Sequence, residues 1–182
     1  MNYARKVNEY FRNIRSTPPV ITLPESRIGE HENKYNERVA SRLSGTCCMD
    51  RKNITFGGAH GQIEFCDLLT DDKKIIHVKR YGASRVLSHL FSQGLVSGDL
   101  FLSDPDFRNK VRAILPTSHK TIVPTSNPNP TDYTIVYAII SRSDRLIDIP
   151  FFSKVNLRNV MKRLKGSFRY NVSFVTVNTE RE

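Results

Sequence analysis

Residues 62–80 read QIEFCDLLTDDKKIIHVKR. Gln62–Leu69 is an apolar run, Thr70-Asp71-Asp72-Lys73 a polar turn, and Lys74–Arg80 a second apolar run. The stretch therefore reads as two antiparallel strands. Alternation along the second strand places Ile75, His77 and Lys79 on one face and Ile76, Val78 and Arg80 on the other. His77 and Lys79 are thus expected to point together. The register across the turn has two solutions. With Leu69 opposite Lys74, Glu64 stands across from Lys79. A slip of one residue brings Asp67 opposite His77 and inverts the faces. A bulge would let both acids contribute.

Upstream, Arg51–Phe56 reads as another strand, separated by the turn-rich Gly57-Gly58-Ala59-His60-Gly61, so 51–80 is expected to form a three-stranded antiparallel meander. Tyr35, Val39 and Leu43 recur every four residues and define a helix from about 31 to 43 that stops before Gly45. Val7, Tyr10, Phe11 and Ile14 define a first helix over 2–15, ended by Thr17-Pro18-Pro19, with residues 16–30 as an extended connector. Downstream, Ser84–Leu102 is helical, with Val86, Leu87, Leu90 and Phe91 on one side. Gly94 and Ser97 fall on that side too, which predicts close packing against a neighbour. Asp104-Pro105 opens a further helix, the Asp as cap and the Pro at the first helical position.

Residues 116–132 hold four of the nine prolines and read as loop. Tyr133–Ser141 is apolar on both faces, the mark of a central strand. Ser153–Lys165 is amphipathic: Leu157, Val160, Met161 and Leu164 lie beside a cationic stripe of Lys154, Arg158, Lys162 and Lys165. Gly166 suits the end of that helix, and Val172–Val177 is the last strand. The core order, αβββαβαβ, predicts an α/β architecture around a mixed sheet flanked by helices. Residues 1–30 form an N-terminal helical extension and connector, and residues 31–182 a single domain.

The chain has 182 residues, with 28 Lys+Arg against 18 Asp+Glu, a net charge of +10. Such a balance favours polyanionic partners through attraction and counterion release. The segment Arg142–Arg169 carries eight basic residues and two acids, a net 8 − 2 = +6. No apolar run is long enough to span a bilayer, and the N-terminus lacks the apolar stretch of a signal peptide, so no membrane partner is expected. The three cysteines, Cys47, Cys48 and Cys66, form no paired framework and point to a reducing, cytoplasmic setting. With His60 and His77 they also lack zinc-site spacing. The glycine-rich 57–61 lacks the GK[ST] ending of a P-loop.

A carboxylate, an imidazole and an ammonium converging on an apolar hairpin are costly to bury without a purpose. Metal-assisted phosphodiester cleavage supplies one: an acid holds the cation, and a lysine orients or deprotonates water and stabilises charge on the phosphate. Here the residues resemble the PD-(D/E)XK nuclease superfamily, and most nearly its Mrr-like restriction endonucleases. Asp67-Leu68-Leu69 looks like the metal-binding Asp motif, and His77-Val78-Lys79 like the third motif, with His77 where the superfamily usually has Glu, Asp or Gln. The resemblance covers roughly residues 31–141. It implies a restriction-endonuclease-like αβββαβ core and Mg²⁺ or Mn²⁺ as cofactor. It also implies cleavage of nucleic acid, DNA rather than RNA, by a chain able to form a homodimer.

By that resemblance, Asp67 binds the metal with help from Glu64 or a helical acid, and Lys79 is the catalytic lysine. Glu37 lies near the expected helical place, whereas Glu32 falls on the Tyr35/Val39/Leu43 face. Arg85, His89 and Gln93 form one polar stripe, and Gln93 matches the helical Gln that related nucleases place near the site. The basic residues Lys154, Arg158, Lys162 and Lys165 would hold backbone phosphates. The longer run through Tyr35-Asn36-Glu37, CDLL, HVKR and LSHLFSQGLVSGDLF resembles a sporadically distributed bacterial family of defence and mobile islands.

Overall fold

The computed structural model describes residues 2–58, 61–142 and 147–181. Its elements run α1 (Tyr3–Ser16), α2 (Glu32–Arg42), β1 (Thr46–Cys48), β2 (Asn53–Thr55), β3 (Gln62–Glu64), β4 (Leu68–Thr70) and β5 (Lys74–Arg80). There follow α3 (Ser84–Ser103), α4 (Pro105–Ile114), β6 (Thr134–Ser141), α5 (Phe151–Lys162) and β7 (Asn171–Asn178). Five strands make one sheet in the order β1-β4-β5-β6-β7. Pairing is antiparallel from β1 to β5 and parallel from β5 to β7. Parallel neighbours need long crossovers, and α3 with α4 supplies the first and α5 the second.

Both faces of the sheet are covered, which is why β6 is apolar throughout. On one face, Ile75, Ile135, Tyr137 and Ile139 pack with residues of α1, α3 and α5. On the other, Leu68, Ile76, Val78, Val136, Ala138 and Ile140 pack with Tyr35 and Val39 of α2. The small residues of α3 serve as their spacing predicts. A Cβ on Gly94 would sit 2.5 Å from the Tyr137 hydroxyl, so only glycine lets the helix approach β6 this closely. That hydroxyl donates to the Phe91 carbonyl at 2.8 Å. Asp104 caps α4 by accepting from the Phe107 amide at 2.8 Å.

Residues before α2 are stitched to this core. Val7 and Phe11 of α1 are buried, and Phe11 meets Phe174 of β7 edge to face at 5.7 Å. The connector crosses to the α2 side, where the Tyr35 hydroxyl donates to the Pro24 carbonyl at 2.9 Å and Ser26 bridges to Thr179.

The expected three-stranded meander does not form. Asn53–Thr55 and Gln62–Glu64 make a separate antiparallel ribbon, and the first strand of the main sheet is Thr46–Cys48, which the sequence reading left unassigned. Gln62–Leu69 is not one strand: the ribbon strand ends at Glu64, Phe65 and Cys66 are buried between the two sheets, and the strand of the main sheet begins at Leu68. Phe65 inserts against Phe101 and Phe107 at ring distances of 5.3 and 6.2 Å, turning the chain out of the ribbon and into the sheet. Of the two registers open between β4 and β5, the slipped one forms. Leu69 pairs with Ile75, not Lys74, with Lys73 in the left-handed region at φ 65°. Gly166 lies within a π-helical turn, Arg163–Ser167, that follows α5. His60, Asp144 and Arg145 lie outside the described residues.

Candidate metal centre

The ladder between β4 and β5 stops early. Its last pair is Leu68 with Ile76, followed by one bond from the Asp67 amide to the Ile76 carbonyl at 2.9 Å. Beyond that point β5 has no strand on this side. The Asp67 carboxylate takes the place of one: its Oδ2 accepts from the Val78 amide at 2.7 Å. Extended past Leu68, the register sets Asp67 opposite His77, the slipped solution. Glu64 is not opposite Lys79, because it pairs with Asn53 in the ribbon.

The ribbon nevertheless returns Glu64 to the same place. Asp50, Glu64 and Asp67 each offer a carboxylate oxygen, and these oxygens lie within 4.8 Å of one another. The turn that follows β1 aims Asp50, and the Arg51 amide donates to Glu64 at 2.9 Å. The Asn36 side-chain amide, fully buried on α2, donates to Asp50 at 3.2 Å. Its Oδ1 is a buried acceptor with no hydrogen-bond partner among the described residues. Neither Asp50 nor Asn36 was found from the sequence. Asp50 follows a strand too short to show alternation, and Asn36 sits on a helix face that periodicity assigns to packing.

His77 and Lys79 part company. The His77 ring is buried against Tyr137 at 6.0 Å on the α3 side, and its Nε2 has no partner. Burial pushes its pKa down to about 4. His77 is outside the acidic cluster and serves as a neutral core residue, which corrects its expected role at the site. The open edge of β5 leaves room for the Lys79 stem to turn toward α2, where its ammonium meets Glu32 at 2.7 Å. The second Glu32 oxygen accepts from the Arg80 amide at 3.0 Å. Glu32 is therefore the helical acid tied to the lysine. Glu37 is exposed and pairs with Lys34 at 2.8 Å, so it is not a ligand of the cluster.

The electrostatics of the centre are unbalanced. Burial pushes the Asp67 carboxyl up to about 8, the hydrogen bond from the Val78 amide opposes the rise, and the charges of Asp50, Glu64 and Glu32 add to it. For Lys79, burial works against its charge. The hydrogen bond and charge of Glu32, then the charges of Asp67 and Glu64, outweigh that and hold its pKa above the usual lysine value. Lys79 is a fixed cation here and not a base.

Gln93 and His89 line a cavity on the α3 side that Glu64 also lines. The cationic stripe of α5 is only partly available. Lys154 is tied to Asp148 at 2.8 Å and to Asn8 at 2.9 Å, with its ammonium over the Phe11 ring, so it anchors α1 and not a phosphate. Arg158 lies over the Tyr3 ring at 5.8 Å. Lys162 and Lys165 are exposed.

Three carboxylates in reach of one another, with an orphaned amide oxygen beside them, form an all-oxygen donor set that could hold a hard divalent cation such as Mg²⁺ or Mn²⁺. Fold and site together define a mixed-sheet α/β protein with a candidate acidic metal centre at a sheet edge. The family model described as "Family of unknown function (DUF6119)" matches residues 1–178, and the chain belongs to that family. No curated protein and no solved structure matches it. Among the described residues, no helix is long and apolar enough to cross a membrane.

Proposed function

We propose that the protein is a divalent-metal-dependent nuclease of PD-(D/E)XK type that hydrolyses phosphodiester bonds, with DNA as the favoured substrate and bacterial defence or a mobile element as its setting. One observation carries the reading: the carboxylates of Asp50, Glu64 and Asp67 converge at the open edge of β5, near enough to Lys79 for Asp67 and Glu64 to act on its charge. The element order supports it. A helix, α2, precedes three antiparallel strands of the main sheet, then a helical crossover and a parallel strand, with the β2–β3 ribbon as an insertion.

In this reading Asp67, Glu64 and Asp50 hold the metal, and Asn36 steadies Asp50. A bound divalent cation supplies Lewis acidity toward a phosphate oxygen and a water. Lys79, kept charged by Glu32, stabilises negative charge gathering on the phosphate. Gln93 borders the same space, and Lys162 and Lys165 offer exposed charge to the backbone.

A second reading has one observation in its favour. The position two residues before Lys79 holds a buried neutral histidine and not an acid, which fits a module that grips nucleic acid without cutting it. Nicking of supercoiled plasmid in Mg²⁺ or Mn²⁺ by the parent, Asp67→Asn and Lys79→Met separates the two. The nuclease reading expects nicking that both variants lose by roughly a hundredfold or more. Salt-sensitive binding with no nicking in either metal would leave the binding module.

A further inference from the structure

Between α3 and the β2–β3 ribbon lies a cleft of about 300 Å³. Ile63 reaches it from the ribbon and Val96 from the helix, so apolar side chains enter from opposite sides. Val96 is 48% exposed, large for an apolar residue on this helix. The polar lining is mostly amide and hydroxyl: Asn53 and Gln62 come from the ribbon, and Ser92 and Gln93 from α3, with the His89 imidazole beside them. Gln62 donates one amide N–H to Thr55 at 3.0 Å. Among the described residues, one carboxylate enters the lining, that of Glu64, a member of the acidic cluster.

This composition selects its occupant. A phosphate is unsuited, because among the described residues no Lys or Arg lines the cleft and a carboxylate does. A flat, neutral ring with donors and acceptors on its edge suits two apolar walls and a rim of amides, the groups that read base edges elsewhere. The volume is at the lower end of ligand sites, which run from about 300 to 1,000 Å³. Because Glu64 belongs to cleft and cluster alike, a base seated in the cleft would hold its own backbone beside the three carboxylates.

We propose that the cleft between α3 and the β2–β3 ribbon takes an unpaired nucleobase next to the scissile phosphodiester, so that the substrate is single-stranded or locally opened nucleic acid. The inference rests on the nuclease reading above. A base still stacked in a duplex cannot enter a side cleft without leaving its partner, which makes opened strands the preferred ligand.

The test uses the full chain and short DNA oligonucleotides carrying one 2-aminopurine, whose fluorescence reports unstacking. Binding is measured in Ca²⁺ and in EDTA, cleavage in Mn²⁺, and Mn²⁺ affinity by electron paramagnetic resonance. Val96→Trp fills the cleft from an exposed position, and Gln93→Ala removes one amide. The parent is expected to bind the single strand about tenfold more tightly than the matched duplex, and Val96→Trp to lose about that factor. Mn²⁺ affinity should hold within about twofold, because Val96 is outside the cluster. Equal binding of single strand and duplex, or full binding by Val96→Trp, overturns the base cleft. Loss of binding in Val96→Trp without cleavage by any form upholds the cleft and overturns the nuclease reading. Cleavage that Val96→Trp leaves unchanged upholds the nuclease reading and overturns the cleft.

Discussion

Lys74–Ile76, at the start of β5, runs beside β6 with β4 facing Ile75 and Ile76 from the other side, whereas Val78–Arg80, at its end, has a strand on the β6 side alone. The paired half is sealed: Ile75 and Ile76 are fully buried, one in each core. In the open half, side chains replace the missing strand. Asp67 caps the Val78 amide and Glu32 caps the Arg80 amide, so two backbone donors of one edge are satisfied by carboxylates. Ending a ladder inside a protein thus draws acids to the vacated edge, since buried N–H groups need acceptors. Those acids bring a charge that then needs a cation, which Lys79 supplies in part.

The sharpest contrast is expected from Asp67→Asn. The amide still offers Val78 an acceptor oxygen but removes the charge. On the nuclease reading, cleavage should fall roughly 10³-fold. Stability should move the other way. Because the folded carboxyl titrates near 8, above its unfolded value of 3.8, the metal-free parent loses stability as pH rises between those values. Asp67→Asn lacks that loss and should be about 1–2 kcal/mol the more stable at pH 8 in denaturant melts with chelator. A destabilised variant would show that the open edge needs the charge itself.

Ile76→Ala addresses the paired half. Ile76 is fully buried among Leu68, Val136 and the α2 side chains, so truncation should cost about 3 kcal/mol. Mn²⁺ affinity per folded molecule should change less than about twofold. A joint loss of stability and metal binding would mean that the two halves are not separable.

His77 sits at the join. Its folded pKa, about 4, is below the ordinary 6.5, so its contribution is complete above pH 6.5 and is lost as pH falls toward 4. Between pH 7 and 4.5 the parent should lose about 2–3 kcal/mol more than His77→Leu in paired denaturant melts. Matching pH slopes would place a compensating group beside the ring.

The paired half of β5 was legible in the sequence and the open half only in part. Strand alternation, the central strand 134–141, the glycine on α3 and the capped start of α4 follow from local rules of period and capping, and they appear at their expected places. Asp67 was singled out by its likeness to the metal-binding Asp motif of the superfamily, and it lies in the acidic cluster. The register across the turn at Lys73 was legible as one of two alternatives, and the detour at Phe65–Cys66 was not, because it depends on what the chain packs against. That detour puts Glu64 into the ribbon, and the pairing with Glu32, equally a matter of packing, draws Lys79 away from His77. Asp50 and Asn36 carry no periodic signal at all; they meet because β1 and α2 are brought together by the fold.

The smallest expected effect tests how the open half is held. Glu32 bonds the Lys79 ammonium with one oxygen and the Arg80 amide with the other. Glu32→Gln keeps an acceptor for one of these and removes the charge. Both side chains of the Glu32–Lys79 pair are about a third exposed, so solvent screens the pair, and the stability cost should be about 1 kcal/mol or less. The informative readout is the lysine. Without Glu32, the attraction that offsets its burial weakens, and the Lys79 pKa should fall, seen by NMR titration of its side chain. Cleavage should then drop about tenfold at neutral pH, through a misplaced cation and not a lost ligand, with Mn²⁺ affinity retained. A lysine that titrates as before would show that Asp67 and Glu64 suffice to hold it, and that the open edge is organised by the cluster and not by α2.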